Sequence, residues 1–132
     1  MQPERIVFFV DRSLGKHVVP AALRKLGATV VVHDDQFRRD TEDADWIERV
    51  GERGWVILTK DQRIRHRPLE RAAVIATGAR LFALTGGDQT GLEMAAVLSK
   101  HLEKMIRISR SEPGPFLARV STSRIVVERL RR

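Results

Sequence analysis

The sequence predicts an α/β fold: a three-layer α/β/α arrangement around a mostly parallel central sheet of about four to five strands. Two observations carry that expectation. Short apolar runs recur at Ile6–Val10, Thr29–His33, Trp55–Leu58 and Arg80–Leu84. They are mostly continuous rather than alternating, as in strands buried on both faces. Between them lie segments whose apolar residues recur three and four apart, the period of a helix packed on one side. Strands and helices alternating at this spacing build right-handed βαβ units, and therefore parallel neighbours.

The elements follow in order. Ile6–Val10 is the first strand, closed by Asp11. Leu14, Val18, Ala22 and Leu26 then form a stripe, widened by Val19 and Leu23, so this stretch reads as a helix ended by Gly27. Pro20 fits if the first turn lies near it. Thr29–His33 is the second strand, and the polar stretch Asp34–Asp40 reads as a loop. Thr41 or Asp43 caps a helix carrying Trp46, Ile47 and Val50, with Gly51 or Gly54 marking its end. Trp55–Leu58 is the third strand, running into Thr59-Lys60-Asp61. Pro68 opens a helix that continues through Leu69, Ala72, Ala73 and Ile75 to Gly78. Arg80–Leu84 is the fourth strand, before a Gly86-Gly87 turn. Thr90 to about Ile108 is the longest helix, Ser109–Pro115 a loop, and Ile125–Leu130 a terminal strand. No internal repeat interrupts this series.

With 132 residues, 42% hydrophobic and 31% charged, the chain reads as a single soluble domain over residues 1–132. No apolar run approaches the roughly 20 residues of a membrane span, so no membrane partner is expected. The N-terminus passes from Met1 to charged Glu4-Arg5 and into a strand, unlike a signal peptide. The absence of cysteine excludes disulfides and thiolate zinc sites and fits a cytoplasmic setting. His17, His33, His66 and His101 are scattered, without the spacing of a zinc site or a catalytic pair. Gly86-Gly87 lacks the surrounding pattern of a phosphate loop.

Charge is unevenly distributed. Residues 1–61 carry 10 Lys/Arg and 11 Asp/Glu, a net of −1, and residues 62–132 carry 14 and 6, a net of +8. A polyanion such as RNA would be drawn to the second half.

The acids of the first half carry the chemistry. Asp11 and Asp61 each follow an apolar strand, and Asp43 stands where a helix begins. The carboxyl ends of parallel strands and the helix starts beside them form one rim, where ligands of open α/β sheets bind. Carboxylates gathered there repel unless a cation separates them, and oxygen ligands favour Mg²⁺ or Mn²⁺. Such a cation acidifies water and neutralises a phosphate, which suits phosphodiester cleavage. Arg12, Lys60, Arg63 and Arg65 flank these acids and are candidate RNA-binding residues. Each acid also has a structural reading as a turn former or cap.

Four pieces of the sequence resemble PIN-like nuclease domains, in the compact branch related to VapC-type toxins and Mut7-C-like proteins. They are Phe9-Val10-Asp11-Arg12-Ser13-Leu14-Gly15, Leu23-Arg24-Lys25-Leu26-Gly27, Asp43-Ala44-Asp45-Trp46-Ile47, and Gly54-Trp55-Val56-Ile57-Leu58-Thr59-Lys60-Asp61. The resemblance implies Asp11, Asp43 and Asp61 as the acids of a Mg²⁺ or Mn²⁺ site in a ribonuclease, with Asp45 in reserve for Asp43. Many such domains place a fourth acid or amide farther on. Here that region reads Leu84-Thr85-Gly86-Gly87-Asp88, which offers Asp88, the Thr85 hydroxyl, or neither. The resemblance further implies a toxin restrained by a cognate antitoxin protein. The apolar face from Leu92 to Ile106 offers a route to a homodimer, although a stripe at this spacing is usually core. The alternative is a catalytically inactive PIN-like module that binds RNA or protein. Receiver and haloacid-dehalogenase readings fit less well, since Asp11 has no acidic neighbour before it and Ser13 stands where a second Asp is needed.

Overall fold

A computed structural model describes residues 4–131. Strands β1 (Val7–Val10), β2 (Thr29–Val32), β3 (Val56–Thr59), β4 (Arg80–Leu84), β5 (Phe116–Val120) and β6 (Ile125–Arg129) form one sheet in the order β2-β1-β3-β4-β5-β6. All neighbours are parallel except β6, which runs back against β5. Helices α1 (Val18–Lys25), α2 (His33–Gln36), α3 (Asp43–Glu52), α4 (Pro68–Thr77) and α5 (Gly91–Ser111) complete the chain with two 3-10 turns, Arg12–Leu14 and Gln62–Arg65.

The strands read as continuous apolar runs because the sheet is covered on both sides. On one face Phe8, Val10, Leu58, Phe82 and Ala118 pack against Leu23 of α1 and Leu98 and Met105 of α5. On the other, Phe9, Ile57, Leu81 and Leu117 pack against Trp46, Ile47 and Val50 of α3 and Val74 of α4. Successive residues of a strand point to opposite faces, so each run feeds both cores. The result is the expected α/β/α arrangement, and helices α3 and α4 stand on the same side as the acids described below.

The sheet has six strands, more than the four to five expected. The addition is β5, between the loop and the terminal strand. Three further boundaries differ. Helix α1 begins at Val18, with Pro20 in its first turn, while Leu14 belongs to a separate 3-10 turn. The segment after β2 contains one helical turn, α2, not only loop. Helix α5 runs on to Ser111. It begins with a reciprocal cap in which Thr90 Oγ1 accepts from Glu93 N–H and Glu93 Oε1 accepts from Thr90 N–H.

Gly51 is not a helix terminator. It lies inside α3, where a Cβ would clash with Thr77 Oγ1, so its missing side chain lets α3 approach α4. Gly54, at φ +73°, makes the turn into β3.

Candidate active site

Asp11 lies one residue beyond β1, and its N–H donates to the Leu58 carbonyl at 2.9 Å, holding it against the end of β3. Its Oδ2 accepts two hydroxyl protons, from Ser13 Oγ and Thr59 Oγ1, each at 2.8 Å. Ser13 Oγ accepts from Lys60 N–H at 2.9 Å, and Thr59 Oγ1 from Asp61 N–H at 3.0 Å. Each hydroxyl therefore takes a backbone proton on one side and directs its own at Asp11. Thr59 is fully buried, so its half of the bracket does not compete with water, whereas Ser13 is exposed.

Asp43 occupies the first turn of α3, where Glu42 holds the N-cap position without a side-chain cap bond. Neither expected cap, Thr41 or Asp43, fills that role. Asp43 Oδ1 instead accepts from Trp46 Nε1 at 2.9 Å, tying the acid to a ring buried in the core. Its negative charge is felt at Asp11. Burial, and secondarily the charge of Asp43, pushes the Asp11 carboxyl above the ordinary value of 3.8; the Thr59 and Ser13 hydroxyls oppose that shift.

Asp61 is held differently. Its Oδ2 pairs with Arg67 at 2.7 Å, and its Oδ1 accepts from Arg63 N–H at 3.0 Å and Arg63 Nε at 3.3 Å. It caps the turn Gln62–Arg65. Its backbone thus joins the Thr59 bracket while its carboxylate is occupied by arginines.

Asp11 and Asp43 interact through their charges, and Asp61 joins them only through its backbone N–H on Thr59. Among the described residues, no three His, Cys, Asp or Glu side chains are grouped closely enough to hold a metal ion. The reserve acids lie apart. Asp45 lines a cavity of about 520 Å³ with Gln36, Phe37 and Arg49, and Asp88 is exposed in the turn before α5. The Thr85 hydroxyl donates to the Val120 carbonyl at 3.2 Å.

The basic residues divide. Arg12 donates to the Arg39 carbonyl at 2.9 Å and lies 3.5 Å from Asp34. With Lys16, Asp34 and Arg39 it lines a cavity of about 210 Å³. Lys60 Nζ donates to the Gly87 carbonyl at 2.8 Å, and with Ser13, Asp61 and Arg63 lines an open cavity of about 420 Å³. Arg65 turns towards β6, pairing with Glu128 at 3.1 Å. It fastens the 3-10 turn to the sheet.

Three participants were not selected from the sequence. Ser13 and Thr59 have a local signal, each standing two residues from a strand-end acid. Arg67 has none beyond its place in a basic run. Asp34 is a fourth rim acid, after β2. The hydrogen bond from His33 at 3.2 Å, helped by Arg12 and Lys16, holds its carboxyl below the ordinary value.

The family described as "PIN like domain" matches residues 6–86. The chain belongs to that family. It is also 36% identical over 136 residues to a Mycobacterium tuberculosis (strain H37Rv) protein named "Putative ribonuclease VapC45", an alignment covering 96% of this chain and 98% of the other. No solved structure matches it significantly. The matched PIN-like span contains β1 to β4 and all three aspartates, and ends before α5, β5 and β6.

Proposed function

We propose that this chain is a metal-dependent endoribonuclease of PIN type. The observation that carries the proposal is Asp11: a half-buried carboxylate, braced by two neutral hydroxyls, and within the field of a second carboxylate. Nothing in that bracket compensates its charge with a cationic side chain. An arrangement that leaves two acids mutually repelling suits a divalent cation from solution.

The donor set is all oxygen, the chemistry favoured by Mg²⁺ and Mn²⁺. Asp11 and Asp43 would hold the ion, with Asp61 as the third acid once its arginines are drawn away. When bound, the ion supplies positive charge to the phosphate and acidifies water. The other roles belong to the chain. Ser13 and Thr59 keep Asp11 in one orientation, and Trp46 does the same for Asp43. Lys60 and Arg63 line the open cavity beside Asp61 and would meet the RNA backbone, with Arg12 on the β2 side. An arriving phosphate competes with Asp61 for Arg63 and Arg67, which couples RNA binding to release of the third carboxylate.

We read the chain further as the toxin of a toxin–antitoxin pair acting in the cytoplasm; the VapC name of the mycobacterial relative supports the toxin role. A cognate antitoxin would then silence the site by placing a basic side chain between Asp11 and Asp43. No described helix is long and apolar enough to cross a membrane. The second reading, a PIN-like module that binds RNA or protein without cleaving it, draws on the ion pair that occupies Asp61.

Incubating the protein with RNA, with and without Mg²⁺ or Mn²⁺, separates the two. Cleavage that needs the ion and disappears in Asp11→Asn supports the enzyme. Binding without cleavage under every metal condition supports the module. Co-purification of a small partner protein from native cells would test the antitoxin.

A further inference from the structure

Arg119 sits in β5, outside the span matched to the PIN-like family. Its neighbours in the strand, Ala118 and Val120, face the α1/α5 core, and Leu117 faces the other. By alternation Arg119 projects from the α3/α4 face, the one that carries Phe9, Ile57 and, continuing the strands, Asp11 and Thr59. The register gives its place: Thr59 is opposite Ala83, and Ala83 is opposite Arg119. Two strand spacings of about 4.8 Å separate Arg119 from Thr59, the residue bonded to Asp11.

The side chain is unusual for this half of the molecule. Several arginines there are tied to acids of the chain: Arg65 to Glu128, Arg80 to Glu4 and Arg129 to Glu112. Arg119 Nε is buried and has no hydrogen-bond partner. Glu128, the one acid of β6, is already taken by Arg65. A buried guanidinium N–H without an acceptor costs free energy, and the simplest compensation is an acceptor that arrives with a ligand. A cavity of about 190 Å³ opens here, lined by Thr85, Arg119, Ser121, Arg124 and Val126. Two guanidinium groups around so small a space match one tetrahedral oxyanion, while the Thr85 and Ser121 hydroxyls stay bonded to the Val120 and Arg124 carbonyls.

We propose that Arg119 and Arg124 form a phosphate subsite for the RNA backbone, beside the acidic site and on its face of the sheet. This rests on the ribonuclease reading above. The subsite holds a phosphate neighbouring the one at Asp11, and so sets the direction in which the strand crosses the rim. Backbone contacts of this kind position a strand without reading its sequence.

The test measures binding, not cleavage. In an Asp11→Asn background, which keeps the strand intact, anisotropy of a short fluorescein-labelled oligouridylate is followed against salt. Arg119→Gln is expected to weaken binding about tenfold. It should also lower the slope of log K against log salt by about 0.7, the value for one single-strand phosphate contact. Arg119→Lys, which keeps the charge but loses the Nε donor, should retain the slope and lose part of the affinity. Arg124→Gln, an exposed change that spares the core, should lower the slope similarly. Arg107→Gln, exposed on α5, should change neither. Unaltered affinity and slope in both Arg119→Gln and Arg124→Gln would overturn the subsite alone, leaving the pocket to an acidic protein segment. Failure of the Asp11→Asn protein itself to bind the RNA would overturn the subsite together with the ribonuclease reading.

Discussion

Asp11 and Asp61 occupy the same kind of place, just past the end of a parallel strand, and meet opposite surroundings. Asp11 is half-buried, receives only neutral hydroxyls from side chains, and feels the charge of Asp43. Asp61 is paired with Arg67 at 2.7 Å and Arg63 at 3.3 Å. One acid is left electrostatically unsatisfied and the other is neutralised by its own chain. Position on the rim therefore does not decide what an acid does. The charge next to it differs, and at Asp61 that charge comes from Arg63 and Arg67, which on the proposed reading an arriving phosphate would draw away.

The strongest way to break the contrast is to neutralise each acid in turn. Asp11→Asn should reduce metal-dependent cleavage by at least about 10²-fold, beyond the effect usual for a residue that merely supports a ligand. Asp61→Asn should reduce it too, but by less if its arginines take over part of the phosphate binding. Equal losses, measured as kcat/KM on one RNA, would erase the distinction drawn here.

The second prediction sharpens it. Arg67→Gln releases Asp61 towards the Asp11–Asp43 pair before RNA arrives. Affinity for Mn²⁺ in the absence of RNA should rise several-fold by calorimetric titration, while affinity for RNA falls. The lost ion pair is half-exposed, so the stability cost should stay below about 1 kcal/mol.

Thr59→Val removes the hydroxyl that bonds Asp11 and accepts from Asp61 N–H. With the buried partners left unpaired, the expected cost is about 1–3 kcal/mol in denaturant unfolding. Loss of the bond also favours the protonated form of Asp11, so the acid limb of the pH–rate profile should move to higher pH.

The smallest effect concerns stability and pH. The Asp11 carboxyl lies above 3.8 in the folded chain, chiefly through burial. The folded state therefore keeps this proton when the unfolded chain has lost it. Stability from this group is full below the unfolded value and declines as pH rises through the window up to the raised one. Asp11→Asn removes that decline and lets an amide N–H face Asp43, so at neutral pH the variant should melt slightly higher than the parent.

Several of these features are legible in the chain and several are not. β1 and β3 announce themselves as apolar runs, and Asp11 and Asp61 follow directly. Pro68 at the first position of α4 and the start of α5 at Thr90 are local chemistry, visible without a fold. β5 was hidden because Pro113-Gly114-Pro115 precedes it and Arg119 interrupts its apolar run. Gly51 looked like a helix end because its real reason, contact with Thr77, lies in another helix. The division of the basic half was equally invisible. Its net of +8 suggested one polyanion surface. Yet Arg65, Arg80 and Arg129 pair with Glu128, Glu4 and Glu112, through partners set by tertiary packing. The environment of Asp61 depends on Arg67, a residue that sequence marks only as one of several cations.

The most direct measurement is thermal unfolding of the parent and Asp11→Asn at neutral pH, each with and without Mn²⁺. An ion that binds the folded chain alone raises its stability in proportion to occupancy. The parent should gain stability with Mn²⁺, whereas Asp11→Asn should start higher and gain almost nothing. Equal stabilisation of both proteins would show that the ion sits elsewhere, and the acidic rim would lose its claim to the chemistry.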